Sequence, residues 1–240
     1  HTRLRATMAA PPKARLVLFP LFAFNLEVAR APWVTQQPTI AEMRLQWWID
    51  ALGEIATQET VRRHEVVTAL AQVLTSETVP LLQDLVAARR WDIYQEPFEN
   101  EADFEQYIDQ TSGNLLVVAT ELLGSADSQV VRDFAFAVGL ANWFQAVPHF
   151  LKQNRQPLLH TTPAALQRLA QQGLKRLARA RQTRTLVSQQ AGLALLCGWQ
   201  TKAYLAEVVA SPERVLSGLL GPSANFSKIQ LLLRSVFGRW

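Results

Sequence analysis

Apolar residues recur at helical spacing along most of this 240-residue chain. The clearest case is the segment Thr39–Ile55, which directly follows Pro38, a residue suited to the first turn of a helix. The apolar side chains of this segment fall at steps that place them on one broad face: Ile40, Met43, Trp47, Trp48, Ala51, Leu52 and Ile55. The pattern predicts an amphipathic helix with an aromatic buried face.

Comparable patterns predict helices through the rest of the chain. They cover Arg15–Ala31, Arg63–Leu74, Val79–Trp91, Glu101–Leu123, Ser128–Leu151, Pro163–Arg179, Leu186–Val209 and Ala224–Phe237. No segment shows the alternation of apolar and polar residues that is typical of a half-buried strand, so the sequence predicts the all-α class with about eight or nine helices. Since neither a linker composition nor a fixed-period repeat interrupts the chain, we expect residues 1–240 to form a single domain.

Two uncharged stretches, Phe134–Leu151 and Thr185–Thr201, approach the length of a membrane span. Each carries several polar side chains, which favours a buried core helix over a transmembrane helix. The single cysteine, Cys197, lies in an apolar run, so no disulfide can form within the chain. We therefore expect a buried, unreactive thiol and a reducing compartment.

Charge divides the chain into two unlike halves. Residues 1–133 hold 11 Lys and Arg against 18 Asp and Glu, whereas residues 134–240 hold 13 against 2. No carboxylate residue occurs between Phe134 and Ala206. This polarity indicates that the C-terminal half contacts something anionic, such as an acidic protein surface, phospholipid headgroups or RNA.

One predicted helix concentrates this positive charge on a single face. In the segment Pro163–Arg179, the leucines share one side of the helical wheel and four basic residues occupy the opposite side: Arg168, Lys175, Arg176 and Arg179. This basic stripe is either a solvated helix face or a surface for an anionic partner. Both interpretations stay open at this stage.

Side chains for metal or nucleophilic chemistry form no recognisable pattern. The histidines are scattered, so we expect no metal site, and the sequence contains no phosphate loop, nucleophile elbow or dinucleotide fingerprint. Three of the seven tryptophans, Trp33, Trp91 and Trp240, lie near predicted helix ends. We expect those three at a partner surface, where large amphipathic rings contribute contact area.

Three motifs, in the right order along most of the chain, resemble the squalene/phytoene synthase family. LFAFNLEVARA at 21–31 followed by MRLQWWIDAL at 43–52 is similar to the family's first aspartate-motif helix and the helix after it. YIDQTSGNL at 107–115 is similar to a tyrosine followed by small residues where helices pack closely. GLA at 139–141 leading to RQPLL at 155–159 stands in the place of the second aspartate motif. The resemblance implies an isoprenoid-synthase-type helical bundle.

Active members of that family hold Mg²⁺ and a diphosphate between two aspartate motifs on facing helices, because Mg²⁺ needs oxygen ligands. Aligning this chain on the first motif puts Ala29, Arg30 and Trp33 where the aspartates belong. The second motif would fall within the acid-free stretch. The resemblance therefore implies a member that binds no metal, needs no cofactor and is not an enzyme.

The neighbourhood of the first motif lines the substrate cavity in an active relative. The matching residues here form an expected vestigial cavity: Phe24, Glu27, Arg44, Trp47, Trp48 and Tyr107. Four charged residues in or beside it, Glu27, Arg30, Arg44 and Asp50, allow two interpretations. They form an internal ion-pair network in place of the metals, or they are the remnant of a lipid-anion site.

Within the family, the patterns Phe-Asn-x-Glu-x-Ala and Met-Arg-x-Gln-Trp-Trp are most similar to a branch without metal motifs. That branch includes the mitochondrial assembly factor of respiratory complex I and phytoene-synthase-like subunits of that complex. The resemblance implies a non-catalytic scaffold, a subunit or assembly factor of complex I (NADH:ubiquinone oxidoreductase). Its partners would be other protein subunits, with a peripheral contact to membrane lipid.

The resemblance also implies a location on the matrix side of the mitochondrial inner membrane, with the bacterial cytoplasm as the alternative. Two other functions remain open from the sequence. The basic C-terminal half is compatible with an RNA-associated protein of a mitochondrial ribosome or its assembly. A preserved apolar cavity would suit a prenyl- or lipid-binding protein or a residual prenyltransferase.

Overall fold

A computed structural model describes residues 2–58, 60–94, 96–221, 231 and 240. Within these residues the secondary structure is helical apart from one isolated β-bridge between Ala126 and Val187, which confirms the predicted all-α class. The helices are α1 (Thr2–Ala9), α2 (Pro12–Arg30), α3 (Pro38–Thr57), α4 (Glu65–Leu70), α5 (Val79–Ala88), α6 (Trp91–Tyr94), α7 (Glu101–Ile108), α8 (Asn114–Glu121), α9 (Ser128–Lys152), α10 (Pro163–Gln182), α11 (Gln189–Leu195), α12 (Thr201–Ala210) and α13 (Glu213–Ser217).

Local signals place several helix starts correctly. Pro38 occupies the first turn of α3, where its missing N–H is not needed. The Thr162 hydroxyl caps α10 by accepting a hydrogen bond from the amide of Ala165 at 3.3 Å. Because both starts depend on residues next to each other in the sequence, local pattern was sufficient to predict them.

Several predicted helices are interrupted where tertiary packing overrides the local pattern. A π-helical turn, Asp109–Gly113, separates α7 from α8 within the predicted Glu101–Leu123 helix. The predicted Leu186–Val209 helix is broken by a 3-10 turn at Leu196–Gly198, where the chain passes so close to Phe134 that a Cβ on Gly198 would lie 2.5 Å from its ring. The predicted helix Ala224–Phe237 falls outside the described residues.

The core consists of two apolar clusters that meet through shared side chains. One surrounds α9 and includes buried residues of α10 and α12, and the other joins α2, α3, α5 and α8. Phe22, Leu81 and Leu193 pack against both clusters. The stretch 134–151 lies in α9 and is largely buried, as expected for a core helix rather than a membrane span.

Two further observations concern burial. Cys197 is buried, and burial raises the pKa of its thiol to about 11 even though Arg3 acts in the opposite direction. In the part of the chain that the structure describes, one stretch, Pro12–Trp33, is long and apolar enough to cross a membrane by length and composition. Only 39% of its most apolar window is buried inside the fold.

Candidate functional site

The three residues at the first-motif positions face different environments. Ala29 is half-buried and Arg30 is exposed at the end of α2, where Arg30 Nη1 lies 3.7 Å from Glu27 Oε1. Trp33 closes the following 3-10 turn and points toward α9, with its ring centroid 5.7 Å from that of Phe150 and 5.4 Å from that of His149. Trp33 is therefore half-buried and packs against the C-terminal part of α9.

This contact joins the turn after α2 to the C-terminal part of α9. Trp33 lies at a position that the resemblance aligns with the first aspartate motif, and Phe150 lies two residues before the end of α9. Aromatic pairs at these distances contribute roughly 0.5–1.5 kcal/mol each beyond their burial. At this contact the chain packs ring against ring.

Further aromatic rings extend the contact into the core. Trp91 stacks on Phe98 with centroids 4.4 Å apart and nearly parallel planes. Trp143 contacts Trp91 at 5.5 Å and Phe150 at 4.9 Å, and its indole N–H donates to the carbonyl of Pro157 at 3.0 Å. Trp91 is thus half-buried among rings, and Trp240, at 7% exposure, packs on Phe134. Neither tryptophan supplies the partner surface that the sequence suggested.

A buried polar cluster lies beside these rings. The Tyr107 hydroxyl donates to Asp92 at 3.0 Å and accepts from Arg89 Nη1 at 2.8 Å. Burial raises the pKa of the Tyr107 phenol, so the hydroxyl keeps its proton and remains a donor. Burial also raises the pKa of the Asp92 carboxyl, although the neighbouring Arg89 and the Tyr107 hydrogen bond oppose the shift. Tyr107 therefore belongs to an interior hydrogen-bonded cluster.

Arg155 adds a second buried cation to this region. It is 7% exposed, and its guanidinium carbon lies 4.0 Å from the centroid of the Trp33 ring. Burial lowers the pKa of Arg155, while Asp92 and Tyr107 act in the opposite direction. Stacking on an aromatic face partly replaces the lost hydration of a guanidinium. Arg155 thus helps to hold the turn after α9 against the first-motif region.

Most of the expected vestigial-cavity residues meet at a different place, in an open cleft of about 650 Å³. We call it the α2–α3 cleft, and its lining is Glu27, Arg30, Ala31, Val34, Ile40, Met43, Arg44, Trp47, Trp48 and His64. Phe24 lies beneath it, with its ring 5.4 Å from that of Trp48 in an edge-on contact. Tyr107 is not among the lining residues.

The charged side chains of the cleft do not form one ion-pair network. Glu27 and Arg30 make a single exposed pair, and Asp50 accepts a hydrogen bond from Gln46 at 2.8 Å. Arg44 is exposed and has no ion pair or hydrogen bond to another described residue. The expected network therefore reduces to one loose pair and one unpaired cation.

Pairing within the chain also changes the meaning of the basic stripe on α10. Arg168 pairs with Glu101, Arg176 with Glu105, and Arg179 with the buried carboxylate of Asp133. Lys175, the remaining member, is exposed and has no described partner. Three of the four cations thus face carboxylates of the acidic half of the chain, because α10 packs across α9 and beside α7. Through these three pairs the stripe joins the two halves of the chain.

The residues at the motif positions do not fit the Mg²⁺ ions that the family's chemistry requires. An alanine, an arginine and a tryptophan supply no oxygen ligand. Among the described residues no group of three or more His, Cys, Asp or Glu side chains could hold a metal ion. No catalytic step through a metal can be derived from this site.

Comparisons with known proteins agree with the fold. The squalene/phytoene synthase family model matches residues 1–159. The structure is similar to a crystal structure of a dehydrosqualene synthase in complex with ligand, with a TM-score of 0.73 and 15% identity over 97% of this chain and 89% of that one. At this identity the structural likeness shows the fold alone.

The curated relatives are all named as complex I assembly factor 6 or its homologue. The Drosophila melanogaster homologue is 29% identical over 152 residues, covering 59% of this chain and 45% of its own. The human protein is 24% identical over 147 residues, covering 60% and 44%. The Bos taurus protein is 23% identical over 164 residues, covering 62% and 46%. The chain thus matches less than half of the length of each relative.

Proposed function

This chain belongs to the squalene/phytoene synthase family, and from that premise we propose that it is a non-catalytic member that serves respiratory complex I as a subunit or assembly factor. We further propose that residues 1–240 form a single synthase-like domain, since the fold match extends over 97% of the chain. The proposed location is the matrix side of the mitochondrial inner membrane.

The observation that carries the non-catalytic role is the contact of Trp33 with Phe150 and His149. Ionising a prenyl diphosphate requires Mg²⁺ ions held between carboxylates on facing helices. In this chain the Trp33 ring instead meets the rings of Phe150 and His149 in α9. The Arg155 guanidinium stacks on the Trp33 ring. A side-chain change at one position could not restore the metal site, because both motif regions contribute apolar rings.

The link to complex I rests on the relatives, whose printed names are those of complex I assembly factors. The family model covers residues 1–159, a range that includes the first-motif positions and the α2–α3 cleft. Three of the four α10 cations pair within the chain, and no described contact specifically favours RNA. We advance no second function.

Two measurements on the natural protein test the proposal. The chain is purified from mitochondria under native conditions and its companions are identified by mass spectrometry. We expect complex I subunits or assembly factors, enriched over a sample prepared from cells that lack the affinity tag. Migration of the chain as a lone soluble species would contradict the complex I role.

The catalytic half of the proposal is tested separately. The purified chain is incubated with farnesyl or geranylgeranyl diphosphate and Mg²⁺, beside an active dehydrosqualene synthase as the positive control. We expect the diphosphates to be recovered unchanged. Mg²⁺-dependent release of diphosphate above that of the heat-denatured chain would refute a non-catalytic role.

A further inference from the structure

Exposed apolar side chains are concentrated at the N-terminal end of the chain. Of the thirteen large hydrophobic residues that are exposed among the described residues, eight lie between residues 4 and 43. They are Leu4, Met8, Leu16, Phe19, Leu26, Val34, Ile40 and Met43, which we call the α1–α3 apolar face. Single exposed hydrophobic residues are ordinary on a protein surface, but a cluster of this kind marks an interaction site.

Helix α2 is apolar on two opposite sides. Leu18, Leu21 and Val28 are buried against the core, whereas Leu16, Phe19 and Leu26 follow steps of three and seven residues along the opposite side. This second stripe is open to solvent, with Leu16 at 72% exposure. The core accounts for one side of the helix only.

Helix α1 extends the stripe laterally. Arg15 Nη2 donates to the carbonyl of Met8 at 2.8 Å, and the Arg3 guanidinium lies 5.8 Å over the ring of Phe22. Residues near the end of α1 therefore meet the start of α2, and residues near its start meet the middle of α2. The two helices run antiparallel, so exposed Leu4 and Met8 lie along the flank of α2.

The α2–α3 cleft continues the same surface at the other end of α2. Arg30 and Val34 line the cleft together with Met43 and Arg44 of α3. Arg30 follows Leu26 by one helical turn on the exposed stripe of α2. The cleft thus connects the exposed stripe of α2 with the exposed residues of α3, and α1 packs beside α2.

Positive charge borders this face. Residues 1–44 contain six Lys and Arg against two Glu, although the half of the chain to which they belong is acidic. Arg5, Lys13 and Arg44 are exposed and have no ion pair to another described residue. Apolar side chains rimmed by free cations match the headgroup region of an anionic bilayer, which offers acyl chains and phosphates together.

We propose that the α1–α3 apolar face lies in the headgroup region of an anionic phospholipid bilayer, with Arg5, Lys13 and Arg44 on the lipid phosphates. Helix α2 lies along the membrane plane and does not cross it, because its other side forms part of the core. The three free cations beside this exposed apolar stripe complement an anionic bilayer, which offers phosphates and acyl chains side by side. The inference rests on the proposed function only for the identity of the membrane.

Flotation of the purified full chain with vesicles tests the surface itself. The vesicles contain phosphatidylcholine alone or phosphatidylcholine with phosphatidylglycerol. We expect the chain to float with the anionic vesicles, because each cation near the surface raises the partition coefficient of the chain into the vesicles about fivefold. Added salt should weaken this binding by screening the charges. No flotation with anionic vesicles at low salt would overturn the proposal.

Two pairs of variants distinguish membrane binding through the α1–α3 apolar face from nonspecific adsorption of exposed hydrophobic residues. Leu16→Gln with Met43→Gln removes two side chains that are 72% and 68% exposed, so the fold should persist. Each of the two substitutions should lower the partition coefficient of the chain into anionic vesicles about tenfold. The control pair, Leu186→Gln with Leu219→Gln, changes residues that are 55% and 64% exposed elsewhere and should leave flotation unchanged. Equal losses in both pairs would refute the assignment.

The charged rim is tested in the same way. Lys13→Glu with Arg44→Glu should reduce binding to anionic vesicles at least about 25-fold and leave binding to neutral vesicles unchanged. Lys175→Glu, another exposed cation without a described partner, is the matched control and should have little effect. Capture of an acidic amphipathic peptide without vesicle binding would contradict the proposal and assign the face to a protein. Because no complex I component is present, these results stand apart from the co-purification test.

Discussion

Close packing at Gly139 offers the sharpest test of how α9 meets the π-helical turn Asp109–Gly113. Gly139 lies in α9, against the π-helical turn that follows α7. A Cβ at this position would lie 2.7 Å from both Ile108 Cγ2 and Ser112 Oγ. Since real Cβ atoms do not approach neighbours so closely, Gly139→Ala must push α9 away from the turn.

Gly53 in α3 provides a matched control for this substitution. A Cβ there would have Gln83 Nε2 as its nearest neighbour, at an ordinary 3.8 Å. Replacing glycine by alanine within a helix raises stability by about 0.8–1.0 kcal/mol, and this gain applies to both sites. Overpacking costs about 1–3 kcal/mol at Gly139 only. The difference between the two variants should therefore equal the packing cost, about 1–3 kcal/mol.

Thermal and urea unfolding followed by circular dichroism measure this difference. Because about 2–4 °C corresponds to 1 kcal/mol for a domain of this size, Gly139→Ala should melt roughly 2–12 °C below Gly53→Ala. Gly53→Ala itself should melt slightly above the natural protein. If both variants were stabilised equally, α9 would not pack against the turn at Ser112 and the described helix contact would be wrong.

Three further outcomes follow from the described contacts. Cys197, whose pKa burial raises to about 11, should resist thiol reagents at pH 8 until the protein unfolds, and fast labelling of the native protein would contradict its burial. Hydrogen bonds from Arg62 lower the pKa of Glu54. These bonds therefore stabilise the fold above the ordinary carboxyl pKa, and the stabilisation is lost as the pH falls through the pKa of Glu54 in the folded protein. The difference in unfolding free energy between the natural protein and Glu54→Gln should be present at pH 7 and vanish in acid. Arg176→Ala should lower the unfolding free energy by about 1 kcal/mol, because it removes the ion pair with Glu105 and the contact with the Phe136 ring. Lys175→Ala, measured by the same urea unfolding, should change it little.

The helices that the sequence predicted best are those whose signals are local. The Thr39–Ile55 pattern corresponds to α3 because apolar spacing and the preceding proline act within a few residues. The break at Gly198 could not be predicted in this way, since it depends on a contact with Phe134, far away in the sequence. The family resemblance itself is confirmed by the match over residues 1–159.

The site was predicted less completely than the fold. The sequence placed both Arg30 and Trp33 at the motif positions. Because the two residues lie three positions apart at the end of α2, the Arg30 side chain faces solvent and the Trp33 ring faces α9. Periodicity does not distinguish a buried charge from an exposed one, so the roles of Asp92 and Arg155 were missed. The clue to Arg155 was present, because it begins the RQPLL match at 155–159.

The sequence showed the charge pattern but not the ion pairs that form within the chain. Counting residues showed an acidic half and a basic half, and an external partner was a reasonable hypothesis. Arg168 and Arg176 instead pair with Glu101 and Glu105 across more than sixty residues of sequence. Such pairing depends on helix packing and cannot be inferred from composition.

We propose that this synthase-fold chain serves complex I without prenyl chemistry. Removing the chain from the cells that carry it and measuring assembled complex I on native gels tests this role. We predict that assembled complex I falls and recovers when the natural chain is returned, while cellular prenyl products stay unchanged. Unchanged complex I after complete loss of the chain would contradict the account.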